Sequence, residues 1–404
     1  MARFAMICEY NPLHAGHAYA LQRARELGAD EVVCILSGNY VQRGEPAVAH
    51  KYTRAEAALA AGADLVVELP FPQALASAEF FACAGVSAAD ALASDVLFFG
   101  SESANIELLK AGAEALCTAR FKEEYARLIK TNMGTAAAFA KALEQCSLPA
   151  LPTLSNDLLG LAYCKAILAG GYEIEPVCIA RTGAAYNQSA LGEGFPSATA
   201  LRKIGREQGH AEMIGHLPDA CAHIFAKAYQ NGEMLGDGTA FDAAVLGILR
   251  TLPTEQFESA ALCSGGLGQR IAQAALCSGG LGQRIAQAAL DATSLTHLYS
   301  LCTHKSLPDA HVRRAVLYAT LGMTQQDLRR TPAYLSVLAA NARGRAILSE
   351  LRRTCPVPLV TKPADAPACR QRELSDRADA LYTLGMQNPQ SAGFFTRHAP
   401  IMTE

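Results

Sequence analysis

The stretch Asn11-Pro12-Leu13-His14-Ala15-Gly16-His17 (NPLHAGH) decides how this chain is read. It follows RFAMIC, a short apolar run ending at Cys8 that predicts a buried strand. It leads into AGHAYALQRAREL, whose apolar spacing is helical. A strand, a turn stiffened by proline, and a helix start carrying two histidines therefore meet in about ten residues. A helix start presents unpaired N–H groups and a positive dipole end, which suits an anion. Gly16 lets a ligand approach the backbone closely. His14 and His17, three residues apart, fall on one face of the first helical turn and offer ring N–H groups. On spacing alone, helix capping and core packing explain the pair equally well.

The flanking sequence repeats the strand–helix alternation. EVVCILSG, ADLVVELP and DVLFFGSES read as strands, and HKYTRAEAALAAG, ALASAEFFACAGVSAADALA and SANIELLKAGAEALC as helices. Thr53 is the expected N-cap of the helix that Gly62 ends. SNDLLGLAYCKAILAGG reads as a further helix and EIEPVCIAR as a fifth strand, followed by TGAAYNQ. This alternation predicts an α/β fold with a Rossmann-like parallel sheet covered on both faces. In such sheets the ligand lies at the carboxyl ends of the strands. The loops expected there are CEYNPLHAGH, SGNYVQRGEPA, ELPFP and GSES. From Ser197 onward helical patterns dominate, which places a boundary near residue 205 between a catalytic domain (1–205) and a mostly α-helical domain (206–404).

Composition narrows the class. The 404 residues are half apolar and 18% charged, as in ordinary globular chains. No secretory leader and no run of about 18 apolar residues is visible, so a cytoplasmic protein without membrane spans is expected. Thirteen scattered cysteines without a CxxC pair read as free thiols rather than zinc ligands. Net charge is −3, but residues 300–404 carry 14 basic and 8 acidic side chains, a surplus that suits an acidic polymer. ALCSGGLGQRIAQA occurs twice, letter for letter, at 261–274 and 275–288. One perfect copy is not a solenoid, and no function is read into it. GxxxxGK[ST], GxGxxG after the first strand, HEXXH and GxSxG are all absent.

HxGH in this place resembles the signature of the nucleotidylyltransferase superfamily. The longer set EYNPLHAGH, SGNYVQRGEPA, KYTRAEAAL, GADLVVELPF, SAEFFA, FGSES, SNDLLGLAY and PSATALR is similar to the tRNA(Met) cytidine acetate ligase family, as are HVRRAVLYATLGMT and PLVTKPAD. Only one copy of SGGLGQRI has a counterpart there. The resemblance implies a HUP-type catalytic domain and an enzyme that uses ATP, with Mg²⁺ on its phosphates, to turn acetate into acetyl-adenylate. The acetyl group then goes to the wobble cytidine of elongator tRNA(Met), without acetyl-CoA. His14 and His17 would be catalytic. The ATP-binding run would be Ile7, Cys8, Glu9, Tyr10, Asn11, Pro12, Leu13, His14, Ala15, Gly16, His17, Ala18, Tyr19 and Ala20, joined by Gly100, Asn156 and Arg181.

Gln42, Arg43, Lys51, Ser197, Thr199, Arg202, Arg313 and Arg314 are candidates for phosphate or tRNA contact, with Arg329, Arg330, Arg352 and Arg353 as further candidates for the tRNA backbone. SATALR resembles the ISSTxxR segment that closes over the triphosphate in nucleotidylyltransferases. No direct metal ligand is expected; Glu68 and Glu102 would reach Mg²⁺ only through water. Two other readings share the HxGH site: a small-molecule adenylyltransferase and a non-catalytic RNA-binding protein.

Overall fold

In the computed structural model, residues 1–131, 135–146, 154–181, 196–253, 256–257, 260–261, 281–303 and 309–404 are described. The strands are β1 (Arg3–Cys8), β2 (Glu31–Ser37), β3 (Tyr40–Val41), β4 (Glu45–Pro46), β5 (Leu65–Leu69), β6 (Val96–Ser101), β7 (Glu175–Ala180), β8 (Leu335–Ala340), β9 (Leu359–Val360) and β10 (Ile401–Met402). β3 and β4 form a small antiparallel pair. The rest make one sheet in the order β10-β8-β5-β2-β1-β6-β7, with β9 on the free part of β8.

β1 lies inside the sheet, parallel to β2 on one side and to β6 on the other. The chain builds outward from β1 through β2 to β5, then returns across β1 to β6 and β7. That reversal opens a crevice at the carboxyl ends of β1 and β6. Alternation within the strands feeds two cores. Phe4, Met6, Val32, Cys34 and Leu36 pack into one, while Ala5, Val33, Ile35, Leu65 and Val67 pack into the other.

The helices of the first half are α1 (Ala15–Glu26), α2 (Lys51–Ala60), α3 (Ala78–Ala91), α4 (Ile106–Cys117), α5 (Ala119–Ile129), α6 (Thr135–Gln145), α7 (Ser155–Gly170) and α8 (Ala198–Glu207). α2 begins one turn earlier than expected: its N-cap is His50, whose Nδ1 accepts from Thr53 N at 3.2 Å. An imidazole nitrogen serves there as the hydroxyl of Thr53 would have done.

Past residue 205 the described chain is mostly helical, but it also returns to the sheet. β8 pairs antiparallel with β5, so the first 205 residues do not hold the whole sheet. LSVLAA is a six-residue apolar run, too short for periodicity to separate strand from helix. Phe225, Val245, Leu298, Tyr318 and Tyr382 join the same core as Phe4 and Met6. Tyr382 OH donates to Ala47 O at 2.9 Å, so the C-terminal helices seat on the loop after β2. TGAAYNQ lies outside the described residues, as do positions 262–280 of the duplication. The end of its second copy is in the helix Leu281–Asp291. The eleven described cysteines are free. No helix among the described residues is long and apolar enough to cross a membrane.

Candidate active site

α1 starts where β1 ends, and its cap is built from the two histidines. His14 Nδ1 accepts from Gly16 N at 3.1 Å, and His17 Nδ1 accepts from the His14 backbone N–H at 3.4 Å. This is a reciprocal capping box made with imidazoles. The rings stack at 3.8 Å and 30°, with Tyr10 against His17 at 5.0 Å. Tyr10 is buried with φ +44, a conformation rare for a non-glycine residue and held here by its packing. A Cβ on Gly16 would come within 3.0 Å of the His14 ring. The glycine therefore admits the folded-back imidazole, not only a ligand.

The cap also sets protonation. An Nδ1 that accepts carries no proton, so a neutral ring keeps its proton on Nε2. Burial, and then the charges of Arg181 and Arg202, lower the His14 pKa to about 3. Burial, the neighbouring His14 and Arg181 lower that of His17 well below its ordinary value. At neutral pH the pair therefore offers two uncharged Nε2–H donors.

These donors belong to a cavity of about 210 Å³ at the β1/β6 crevice. Of the residues expected to bind ATP, Ile7, Cys8, Glu9, Tyr10, Asn11, His14, Gly16, His17, Tyr19, Ala20, Gly100, Asn156 and Arg181 line it. Pro12, Leu13, Ala15 and Ala18 do not; Leu13 is fully buried in the core. Gln42, Arg43, Ser197, Thr199 and Arg202 also line the cavity.

The β6–β7 wall is braced by α7. Glu102 accepts from Asn156 N at 3.2 Å, Asn156 Nδ2 at 2.6 Å and Asp157 N at 2.9 Å. Asp157 in turn accepts from Ser101 Oγ and from Ser103 N. Arg181 Nη1 donates to Asn156 Oδ1 at 3.2 Å. A Cβ on Gly100 would lie 3.1 Å from Arg181 Cγ, so that glycine makes room for the arginine stem. On the other side, Ser197 caps α8 by accepting from Ala200 N at 3.1 Å, and Arg202 Nη1 donates to Asn11 O at 2.9 Å.

The remaining candidates lie elsewhere. Lys51 is buried, with Nζ 3.0 Å from both Glu68 oxygens and 2.8 Å from Asp379 Oδ2. Burial alone would pull its pKa down, but the Asp379 and Glu68 carboxylates outweigh that and hold it well above its ordinary value. Lys51 thus braces the fold and leaves no charge facing the cavity. Its partner Glu68 and the helix-bound Glu102 are engaged in the same way. Among the described residues no cluster of His, Cys, Asp or Glu is arranged to hold a metal ion. Arg313 pairs with Asp309 at 2.6 Å and approaches Glu45 at 3.4 Å, while Arg314 donates to Gln42 O at 3.2 Å. Both stand behind the β3–β4 turn rather than in the cavity. Arg329, Arg330, Arg352 and Arg353 are exposed and do not line it.

Arg54 escaped the sequence reading. It is fully buried without a carboxylate partner and donates to the carbonyls of Glu9 (2.7 Å), Ser37 (2.9 Å), Ala49 (2.9 Å) and Gly38. It therefore ties together the ends of β1 and β2, which form the cavity rim. The available signal was an arginine in the alanine-rich run that also holds Ala55, Ala57 and Ala58, all buried.

A HIGH Nucleotidyl Transferase family model matches residues 1–394. A tRNA(Met) cytidine acetate ligase from Caldanaerobacter subterraneus subsp. tengcongensis is 32% identical over 409 residues, covering 96% of each chain. The Bacillus subtilis protein of the same name is 31% identical and covers 99% of this chain and 97% of its own. Among solved structures, apo Thermotoga maritima TmcAL is similar with a TM-score of 0.88 at 27% identity, covering 100% of both chains. TmcAL bound with alpha-thio ATP is similar with a TM-score of 0.86 at 26% identity, again over 100% of both.

Proposed function

We propose that this chain, which belongs to the tRNA(Met) cytidine acetate ligase family of HIGH nucleotidyl transferases, activates acetate with ATP and acetylates the wobble cytidine of elongator tRNA(Met). The observation that carries the reading is the stacked His14–His17 pair, with two neutral Nε2–H donors held at the carboxyl end of β1.

An acetate oxygen attacks the α-phosphorus of ATP. The bond from that phosphorus to the bridging oxygen breaks, and pyrophosphate leaves with the electron pair. Negative charge builds on the phosphoryl oxygens, where preorganised donors lower the barrier. His14 and His17 supply such donors without themselves needing a proton, and Arg43, Arg181 and Arg202 add positive charge to the lining. The cytidine exocyclic amine then attacks the acetyl carbon, AMP leaves with its oxygen, and the amine loses one proton. Mg²⁺ belongs to this scheme as part of the ATP substrate, and acetyl-CoA has no place in it. The nucleotide contacts are assigned to Gly100, Asn156 and Arg181 and to the cavity-lining members of the Ile7–Ala20 run, Asn11 excepted. The basic helical part beyond residue 205 receives the tRNA.

The test is nucleoside mass analysis of elongator tRNA(Met) after incubation with ATP and acetate. Acetylcytidine should form only when both are present, and its rate of formation should fall about 10²- to 10³-fold in His14→Ala. Pyrophosphate release without tRNA acetylation would leave a small-molecule adenylyltransferase, and no release at all would leave an RNA-binding protein.

A further inference from the structure

Two buried amide nitrogens, Asn11 Nδ2 and Gln42 Nε2, have no hydrogen-bond partner, and both residues line the cavity. Native structures rarely leave buried donors orphaned, so such atoms mark a place for a ligand. The Asn11 amide is fixed by its own bond, and Gln42 through its backbone. Asn11 Oδ1 accepts from Val48 N at 2.8 Å, which assigns the free end of that amide as the donor. Gln42 is held through its own backbone, because Gln42 N donates to Glu9 Oε1 at 2.8 Å and Gln42 O accepts from Arg314. Arg202 braces the same side through Asn11 O.

The position separates these donors from the rest of the site. Gly100, Asn156 and Arg181 sit on the β6–β7 side of β1. Asn11 and Gln42 sit on the β2 side, tied to the loop that carries the β3–β4 pair. The histidine pair stands at the end of β1, between the two sides. A nucleotide held from β6 and β7 would therefore present its α-phosphate to a second substrate arriving from the β2 side.

The chemistry of the donors points the same way. A guanidinium would hold a carboxylate as a strong bidentate ion pair and stabilise the nucleophile before it reacts. Neutral amide N–H groups orient a carboxylate while leaving its electron density free for attack. We infer that Asn11 and Gln42 hold the carboxylate co-substrate, one amide to each side of the group, on the opposite side of the histidine pair from the nucleoside. This rests on the activation of a carboxylate proposed above. Glu9 lines the same cavity, and its bond to Gln42 N makes it the anchor of this loop rather than a competing acceptor.

The test is acetate-dependent exchange of labelled pyrophosphate into ATP, with Asn11→Asp, Gln42→Glu and Gln42→Met. The two acidic variants keep the amide shape and replace the donor by a repelling oxygen; Asn11→Asp also keeps the acceptor for Val48 N. The KM for acetate should rise about 10- to 100-fold in each variant, the size of a lost bond to a charged group. The KM for ATP, and ATP affinity by equilibrium binding, should stay within about threefold of wild type. If ATP and acetate weaken together, the amides hold the nucleotide and the inference is overturned. Unchanged acetate KM in Gln42→Met and either acidic variant overturns it as well. Should Asn11→Asp fail to fold, the Gln42 pair still decides. Absence of acetate-dependent exchange in the wild-type protein would instead remove the carboxylate-activation reading itself.

Discussion

Two helices start at the same rim of the sheet, and they treat a negative charge in opposite ways. α1 is capped by His14 and His17, whose neutral rings satisfy the backbone through Nδ1 and keep Nε2–H available. α7 is capped by Glu102, a carboxylate from the end of β6 that already occupies the anion position. A helix start attracts anions in both cases. The charge of the cap decides whether the anion is a side chain or a substrate. α1 remains open to an anion from outside the chain, while α7 serves as a brace that aims Asn156 and Arg181.

That contrast is breakable, and the largest effect comes from the scaffold both starts share. Arg54→Met should destabilise the fold by about 3–5 kcal/mol, because carbonyls at the ends of β1 and β2 lose their buried donor. A urea midpoint shifted down at unchanged m-value would register it; a shift under about 1 kcal/mol would deny Arg54 that role.

His14→Ala should come next, lowering the turnover of tRNA acetylation about 10²- to 10³-fold while the lost cap lowers stability by about 1 kcal/mol. A loss of turnover matched by an equal loss of folded protein would reduce His14 to a helix cap.

The pH dependence sharpens the comparison further. The His14 pKa of about 3 lies below the unfolded value of about 6.5. Between those values the unfolded chain binds a proton that the native chain does not. The native-state advantage is therefore complete above pH 6.5 and is lost as pH falls towards 3. The slope contributed by His14 is at most about 1.4 kcal/mol per pH unit, and melting curves of wild type and His14→Ala should converge in slope above pH 6.5. A descending limb centred near 6.5 in the pH–rate profile, abolished in His14→Ala, would contradict neutral donors.

The smallest effect should come from Glu102→Gln. The start of α7 loses its charged cap at about 0.3–1 kcal/mol. The KM for ATP should rise a few-fold as Asn156 and Arg181 lose their alignment. No change in KM would separate the brace from the site.

Much of this was legible in the chain. NPLHAGH between an apolar run and a helical period located the helix start, and strand–helix alternation put the other rim loops beside it. These signals are local, since a strand or helix face is written in residues a few positions apart. Asn156, Arg181 and Arg202 all reach the cavity in which the two histidines stand. Other assignments depended on partners the local pattern does not contain. Lys51 looked like a rim cation until Glu68 and Asp379 closed around it, the latter 328 positions away. Arg54 had no role in the local pattern until four carbonyls surrounded it. LSVLAA looked like part of a helical half until β5 offered it an edge.

The sequence by itself determined the alternation, the helix start at His14 and the residue types available for chemistry, because these rest on spacing along one chain. Only the tertiary structure decided which polar groups remain free, because burial and pairing are set by residues brought together from distant parts of the chain. The same side chains could have served either purpose; their neighbours assigned His14 and His17 to the cavity and Lys51 and Glu102 to the frame around it.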